Sequence, residues 1–140
     1  METTQVLARQ SKYCSEILHV MGTATHATNQ ELLSSLRLTF PEVSATTIHR
    51  ATARLADRGQ LGMAPAAHDG SMRYDVNPLP HDHFQCSVCY RLRDADFREK
   101  VIDVIRSSIP DCEIGGRLVI TGVCKDCKNL TETSSDAKPN

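Results

Sequence analysis

Two Cys-x-x-Cys pairs, Cys86/Cys89 and Cys124/Cys127, constrain this chain more than any other feature. Each pair can form a tight turn that aims two sulfurs at one point. Four thiolates at Zn–S distances of about 2.3 Å close a tetrahedral structural zinc site. Residues 90–123 between the pairs leave room for a strand, a helix and another strand, so this half is expected to fold back on itself around the metal. Cys14 and Cys112 stand outside the pairs and read as small buried hydrophobes. No apolar run approaches the roughly 18 residues of a membrane span, and the N-terminus lacks a signal-peptide layout. The expected compartment is the cytoplasm, where thiols stay reduced and cysteines read as metal ligands before disulfides.

The 16 basic and 17 acidic residues give a net charge of -1, which excludes bulk electrostatic attraction to nucleic acid. Residues 1–80 carry 7 basic and 7 acidic side chains and the remainder 9 and 10, so any anion-binding surface is a local patch. Aromatics are 4% and Trp is absent, so two small cores of this composition would be marginal. A structural metal is one way such domains compensate.

Residues 11–21 read as a helix, with Tyr13, Ile17, Val20 and Met21 at helical spacing and a stop in the segment 22–26. Thr28 and Glu31 form a capping box for a second helix whose apolar face is Leu32, Leu33 and Leu36. Ser44 caps a third helix running to about Arg58, with Gly59 as its stop. Ile48, Ala51 and Leu55 share its apolar face, and Thr46, His49, Arg50 and Ala53 the opposite one. Residues 44–58 hold three arginines and one aspartate, so this face is locally basic. Residues 60–64 and 71–75 read as a hairpin.

Three helices followed by a two-stranded wing is the winged helix-turn-helix order, in which the third helix enters the major groove. After the stiff linker 77–80, a strand is expected from Phe84 to Arg93. A helix follows from Phe97 to Ile109, with Val101, Ile102, Val104 and Ile105 buried, and Cys112 to Val123 returns as a strand. The fold class is α+β: a winged-helix domain over 1–76, a hinge at 77–80, and a small α/β metal-binding domain over 81–128. Its sheet could pair with a copy of itself. Residues 129–140, rich in Ser, Thr, Asp and Lys, read as a disordered tail.

His81 and His83 fall on one face of an extended segment, because period two returns the side chain to the same side. Asp82 would point away, toward solvent. The block His81-x-His83-x-x-Cys86-x-x-Cys89, the ending Gly122-Val123-Cys124-x-x-Cys127 and the third-helix segment Thr47-Ile48-His49-Arg50 together resemble the ferric uptake regulator family of metal-dependent repressors. The resemblance spans residues 11–128. It implies a homodimer on double-stranded operator DNA, with structural zinc on Cys86, Cys89, Cys124 and Cys127. It also implies a regulatory site of His26, Asp75, His81, His83 and Asp94, taking Fe(II), Mn(II) or Zn(II).

Asp at positions 75 and 94 places the chain closer to the family's peroxide-sensing branch. With Fe(II) bound, that branch implies peroxide oxidation of His26 or His81. Thr46, Thr47, His49, Arg50 and Arg54 are the expected DNA-contacting residues, with Arg50 and Thr46 on bases and Arg54 and Arg58 toward the flank. There are three departures from the family pattern. Its usual first helix before Arg9 is largely missing, and His49 replaces the usual Tyr. Pro80, Val101 and Gly116 occupy the ligand positions of a further metal site, which is expected to be lost.

The function implied is a repressor of metal homeostasis or the peroxide response, and not an enzyme. A zinc deaminase needs Glu between its histidine and cysteines as general acid/base. A non-haem iron oxygenase could use His81, His83 and Asp94, but five candidate ligands leave little room for substrate. The stronger alternative is a zinc-stapled DNA-binding protein without metal sensing.

Overall fold

The structure is a computed structural model that describes the backbone of residues 2–135 and the side chains of residues 12–130. The chain divides between Leu79 and Pro80 into two compact units.

In the first unit, helix α1 (Glu2–Ala24) presents Cys14, Ile17 and Met21 to the core. Residues 2–8 belong to α1 rather than to a helix of their own. The helix stops at Ala24, within the expected segment 22–26. Thr25 takes a left-handed backbone (φ 63°) and its N–H reaches Met21 O at 2.8 Å. His26–Thr28 then form strand β1, where the sequence predicts only the end of a helix.

Helix α2 (Asn29–Leu36) begins with the expected capping box: Glu31 N–H donates to Thr28 Oγ1, and Thr28 N–H to Glu31 Oε1. Its buried face is Leu32 and Leu36. Helix α3 (Ala45–Asp57) is capped by Ser44 and buries Ile48, Ala51, Thr52 and Leu55. Gly59 leaves it at φ +71°, a conformation an L side chain rarely adopts.

Strands β2 (Gly62–Ala64) and β3 (Arg73–Asp75) make the expected antiparallel pair, but the wing has three strands rather than two. Strand β1 pairs with the other side of β3, giving the order β1-β3-β2 and placing His26 opposite Asp75. Gly62 opens β2 beside the segment that leaves β3, and a Cβ there would sit 2.7 Å from the Asn77 carbonyl oxygen.

The second unit is a three-stranded sheet of order β5-β4-β6. The single strand predicted from 84 to 93 is instead two, β4 (Asp82–Cys86) and β5 (Leu92–Ala95), antiparallel across the first cysteine turn. Tyr90 closes that turn at φ 62°, with its N–H on Cys86 O at 2.9 Å. Helix α4 (Arg98–Ser108) leads to β6 (Val119–Gly122), which runs parallel to β4 and is shorter than the predicted 112–123.

The apolar face of α4 is not buried as predicted. None of its residues is buried: Val101, Ile102 and Ile105 are half-buried and Val104 is 68% exposed. Cys14 is buried, whereas Cys112 is exposed, lying in the irregular segment before β6. Helix α5 (Lys125–Ser135) carries regular backbone into the predicted disordered tail; residues 136–140 lie outside the described residues.

Asp82 also corrects the sequence reading, since it is 3% exposed rather than facing solvent. Its Oδ2 accepts from Phe97 N–H at 3.0 Å and Arg98 N–H at 2.8 Å, and its Oδ1 from Leu118 N–H at 3.1 Å. Burial pushes this carboxyl up, but the three N–H bonds and the Arg98 charge outweigh it and hold it below the usual carboxylate value. One side chain thus caps α4 and ties β4 to the approach of β6.

Candidate metal centres

The four cysteines of the two pairs come together in the second unit, each offering a sulfur within 4.8 Å of the others. Cys89 Sγ and Cys124 Sγ are 3.8 Å apart. That is the edge of a tetrahedron built on Zn–S distances of about 2.3 Å, which is about 3.8 Å. Backbone N–H groups of Val88, Cys89 and Cys124 point at Cys86 Sγ at 3.4, 3.5 and 3.4 Å. The bonds from Cys124 and Cys89, with the help of Val88, outweigh burial and hold the Cys86 thiol down to about 6. Cys127 is pushed up to about 12 by its bond with Cys124, by burial and by the other sulfurs. Four sulfurs packed this closely cannot all ionise without a cation. Their donor chemistry and spacing fit Zn(II).

The other ligand candidates divide between the two units. In the first, pairing of β1 with β3 sets His26 Nε2 3.3 Å from Asp75 Oδ2, and Asp75 is fully buried. Thr25 Oγ1 donates its one hydrogen to Ala24 O at 2.6 Å and lies 3.1 Å from His26 Nδ1. It therefore accepts from Nδ1–H, which leaves the Nε2 lone pair facing the carboxylate. A proton on Nε2 or a metal ion satisfies both atoms there, and an outer hydrogen bond on the second ring nitrogen is the usual support of a metal-binding histidine. Asp75 is oriented in turn by Asn77 N–H, which donates to its Oδ1 at 2.9 Å.

In the second unit, His83 pairs with Asp94 across β4 and β5. The Nε2 atoms of His81 and His83 lie 3.2 and 3.3 Å from the same oxygen, Asp94 Oδ1, and the two rings are 4.4 Å apart. Two imidazoles and a carboxylate converging on one point, without a thiolate, suit Fe(II), Mn(II) or Zn(II). Thr25 and Asn77 had no signal in the sequence, since their roles depend on strand pairing and a turn.

The expected DNA-contacting residues divide along α3. Thr46, His49 and Arg50 are exposed on one face. Thr47 is half-buried and belongs to the cap, its N–H donating to Ser44 Oγ at 3.2 Å. Arg54 is half-buried near the C-terminal end.

A family model described as the ferric uptake regulator family matches residues 7–113. The chain belongs to the ferric uptake regulator family. Members are metal-responsive, DNA-binding transcriptional regulators and not enzymes, and this chain is one of them. It is 27% identical over 113 residues to the peroxide-responsive repressor PerR of Staphylococcus aureus (strain USA300), covering 79% of this chain and 76% of that protein.

Solved structures share the fold. The Campylobacter jejuni peroxide stress regulator superposes with a TM-score of 0.69 at 17% identity, over 90% of this chain and 96% of that one. The Helicobacter pylori ferric uptake regulator gives 0.68 at 19% identity, over 91% and 89%. The matched segment of the ferric uptake regulator model ends before Cys124, so the second cysteine pair is assigned by its geometry rather than by that match.

Proposed function

We propose that this chain is a corepressor-dependent homodimeric repressor of the peroxide-response type. Its regulatory ion would be held jointly by His26 and Asp75 of the first unit and His81, His83 and Asp94 of the second. The observation that carries this reading is the convergence of two imidazole Nε2 atoms on Asp94 Oδ1, in a unit whose thiolates already form a separate site. A divalent ion held by these side chains would supply the positive charge that the Asp75 and Asp94 carboxylates call for.

The chain's own residues account for the rest. Thr25 and Asn77 hold His26 and Asp75 in their binding orientations. The β4–β5 register holds His83 against Asp94. In a dimer, linking the units sets the separation of the two α3 helices against half-sites one helical turn apart, about 34–36 Å. The ligand set need only hold an ion better in the DNA-competent arrangement than in the open one to act as a switch.

The aspartates at 75 and 94 and the similarity to a peroxide-responsive repressor support the peroxide-sensing branch. The open edge of β6, where Val119 and Ile120 are 45% and 49% exposed, and the exposed Val104 on α4 support a second copy as partner. No helix among the described residues is long and apolar enough to cross a membrane, and we place the protein in the reducing cytoplasm.

The test is operator binding by zinc-loaded protein titrated with Fe(II), Mn(II) and Zn(II), wild type against His81→Ala. Metal-dependent binding lost in the variant is expected. Equal binding without added metal and in the variant would leave a zinc-stapled DNA-binding protein without sensing.

A further inference from the structure

The exposed histidine on the α3 reading face is held from behind. His49 Nδ1 lies 3.4 Å from Asn29 Nδ2, at the start of α2, and Asn29 Oδ1 lies 2.8 Å from Thr52 Oγ1, one turn along α3 from His49. Thr52 is fully buried and its hydroxyl has one hydrogen. Three oxygens surround it: Asn29 Oδ1 at 2.8 Å, and the carbonyls of Ile48 and His49 at 3.1 Å each. In the structure the amide stands with Oδ1 toward Thr52, which gives its hydrogen to this nearest oxygen, and with Nδ2 toward the imidazole. An amide nitrogen only donates, so in this orientation His49 Nδ1 is the acceptor. The neutral ring then carries its proton on Nε2, on the exposed side of the residue.

We propose that Asn29, locked by Thr52, is a specificity-positioning residue that sets His49 in its Nε2–H tautomer and so determines which base edge the recognition helix reads. This rests on the DNA-binding reading of α3. A Nε2–H in the major groove selects an acceptor: N7 or O6 of guanine, N7 of adenine or O4 of thymine. It discriminates against the N4 amino group of cytosine. Neither Asn29 nor Thr52 touches DNA in this arrangement; they act through the ring.

Asn29→Asp provides the decisive test, because a carboxylate only accepts. Thr52 still has its partner, while His49 is driven to the Nδ1–H form with a bare Nε2 facing outward. Long-range nitrogen–proton NMR spectra of zinc-loaded full-length protein should show His49 as the Nε2–H tautomer in wild type and the Nδ1–H tautomer in Asn29→Asp. Asn29→Ala should give a mixture. Selection from a randomised operator with metal present should show one base pair per half-site at which wild type prefers an acceptor by about five- to tenfold. Asn29→Asp should reverse that preference and Asn29→Ala flatten it, while the other positions keep their order.

A wild-type Nδ1–H tautomer overturns the proposal, as does an unchanged base preference in both variants with binding retained. Absence of wild-type binding to any DNA would instead overturn the DNA-binding reading, and the spectra would still decide the tautomer.

Discussion

The two units of this chain are held together by different physics. The first closes a core of its own: Ile17, Met21, Leu32, Leu36, Ile48 and Leu55, drawn from three helices, are all at 1% exposure or less. In the second, the buried apolar set among the described residues is Leu92 with Cys86 and Cys127. A carboxylate and four sulfurs do there what hydrocarbon does in the first. The difference suits the proposed division of labour. A reading head needs its own rigidity, whereas a sensing and pairing module can depend on a metal and a second copy.

The comparison is broken most directly by taking zinc away. Cys86→Ser, or exhaustive chelation, should unfold the second unit while the first keeps its structure, because a structural zinc contributes roughly 10–16 kcal/mol of apparent binding free energy. Hydrogen exchange should then show protection surviving in α1, α2 and α3 and disappearing from β4 to β6. Uniform loss across both units would show that they fold as one.

A paired truncation sharpens the contrast next. Ile48→Ala, at a fully buried position of α3, should cost about 3 kcal/mol, within the range for deleting a buried aliphatic side chain. Val104→Ala on the exposed face of α4 should cost under about 0.5 kcal/mol in the dissociated chain. Urea titration at low protein concentration measures both. Equal costs would mean that α4 has a covering layer within its own chain.

The smallest effect compares two helix caps. Thr28→Ala removes an ordinary capping box and should cost about 1 kcal/mol. Asp82→Ala strips three backbone N–H groups of one buried acceptor and should cost about 2–3 kcal/mol. If the two losses match in calorimetry, Asp82 is a local cap and not the tie between β4 and β6.

Much was legible along the chain, because some constraints are local. A capping box is a four-residue pattern, so the starts of α2 and α3 follow from Thr28 with Glu31 and from Ser44. Helical periodicity identifies Ile48, Ala51 and Leu55 as core. The spacing of Cys-x-x-Cys announces a metal whatever surrounds it. The ligand set of the regulatory site came from resemblance, since His26 and Asp75 carry no shared local pattern.

The remaining features depend on partners distant in sequence. Strand β1 has three residues and no alternation to betray it; pairing with β3 makes it a strand and sets His26 against Asp75. Asp82 reads as a solvent-facing residue between two histidines until the N–H groups of Phe97, Arg98 and Leu118 close on it. The face of α4 has a core pattern, yet the chain only half-buries Val101, Ile102 and Ile105 and leaves Val104 exposed. Periodicity records which face of an element is apolar. Whether another surface arrives to bury that face is settled in three dimensions, because burial belongs to the pair and not to the segment.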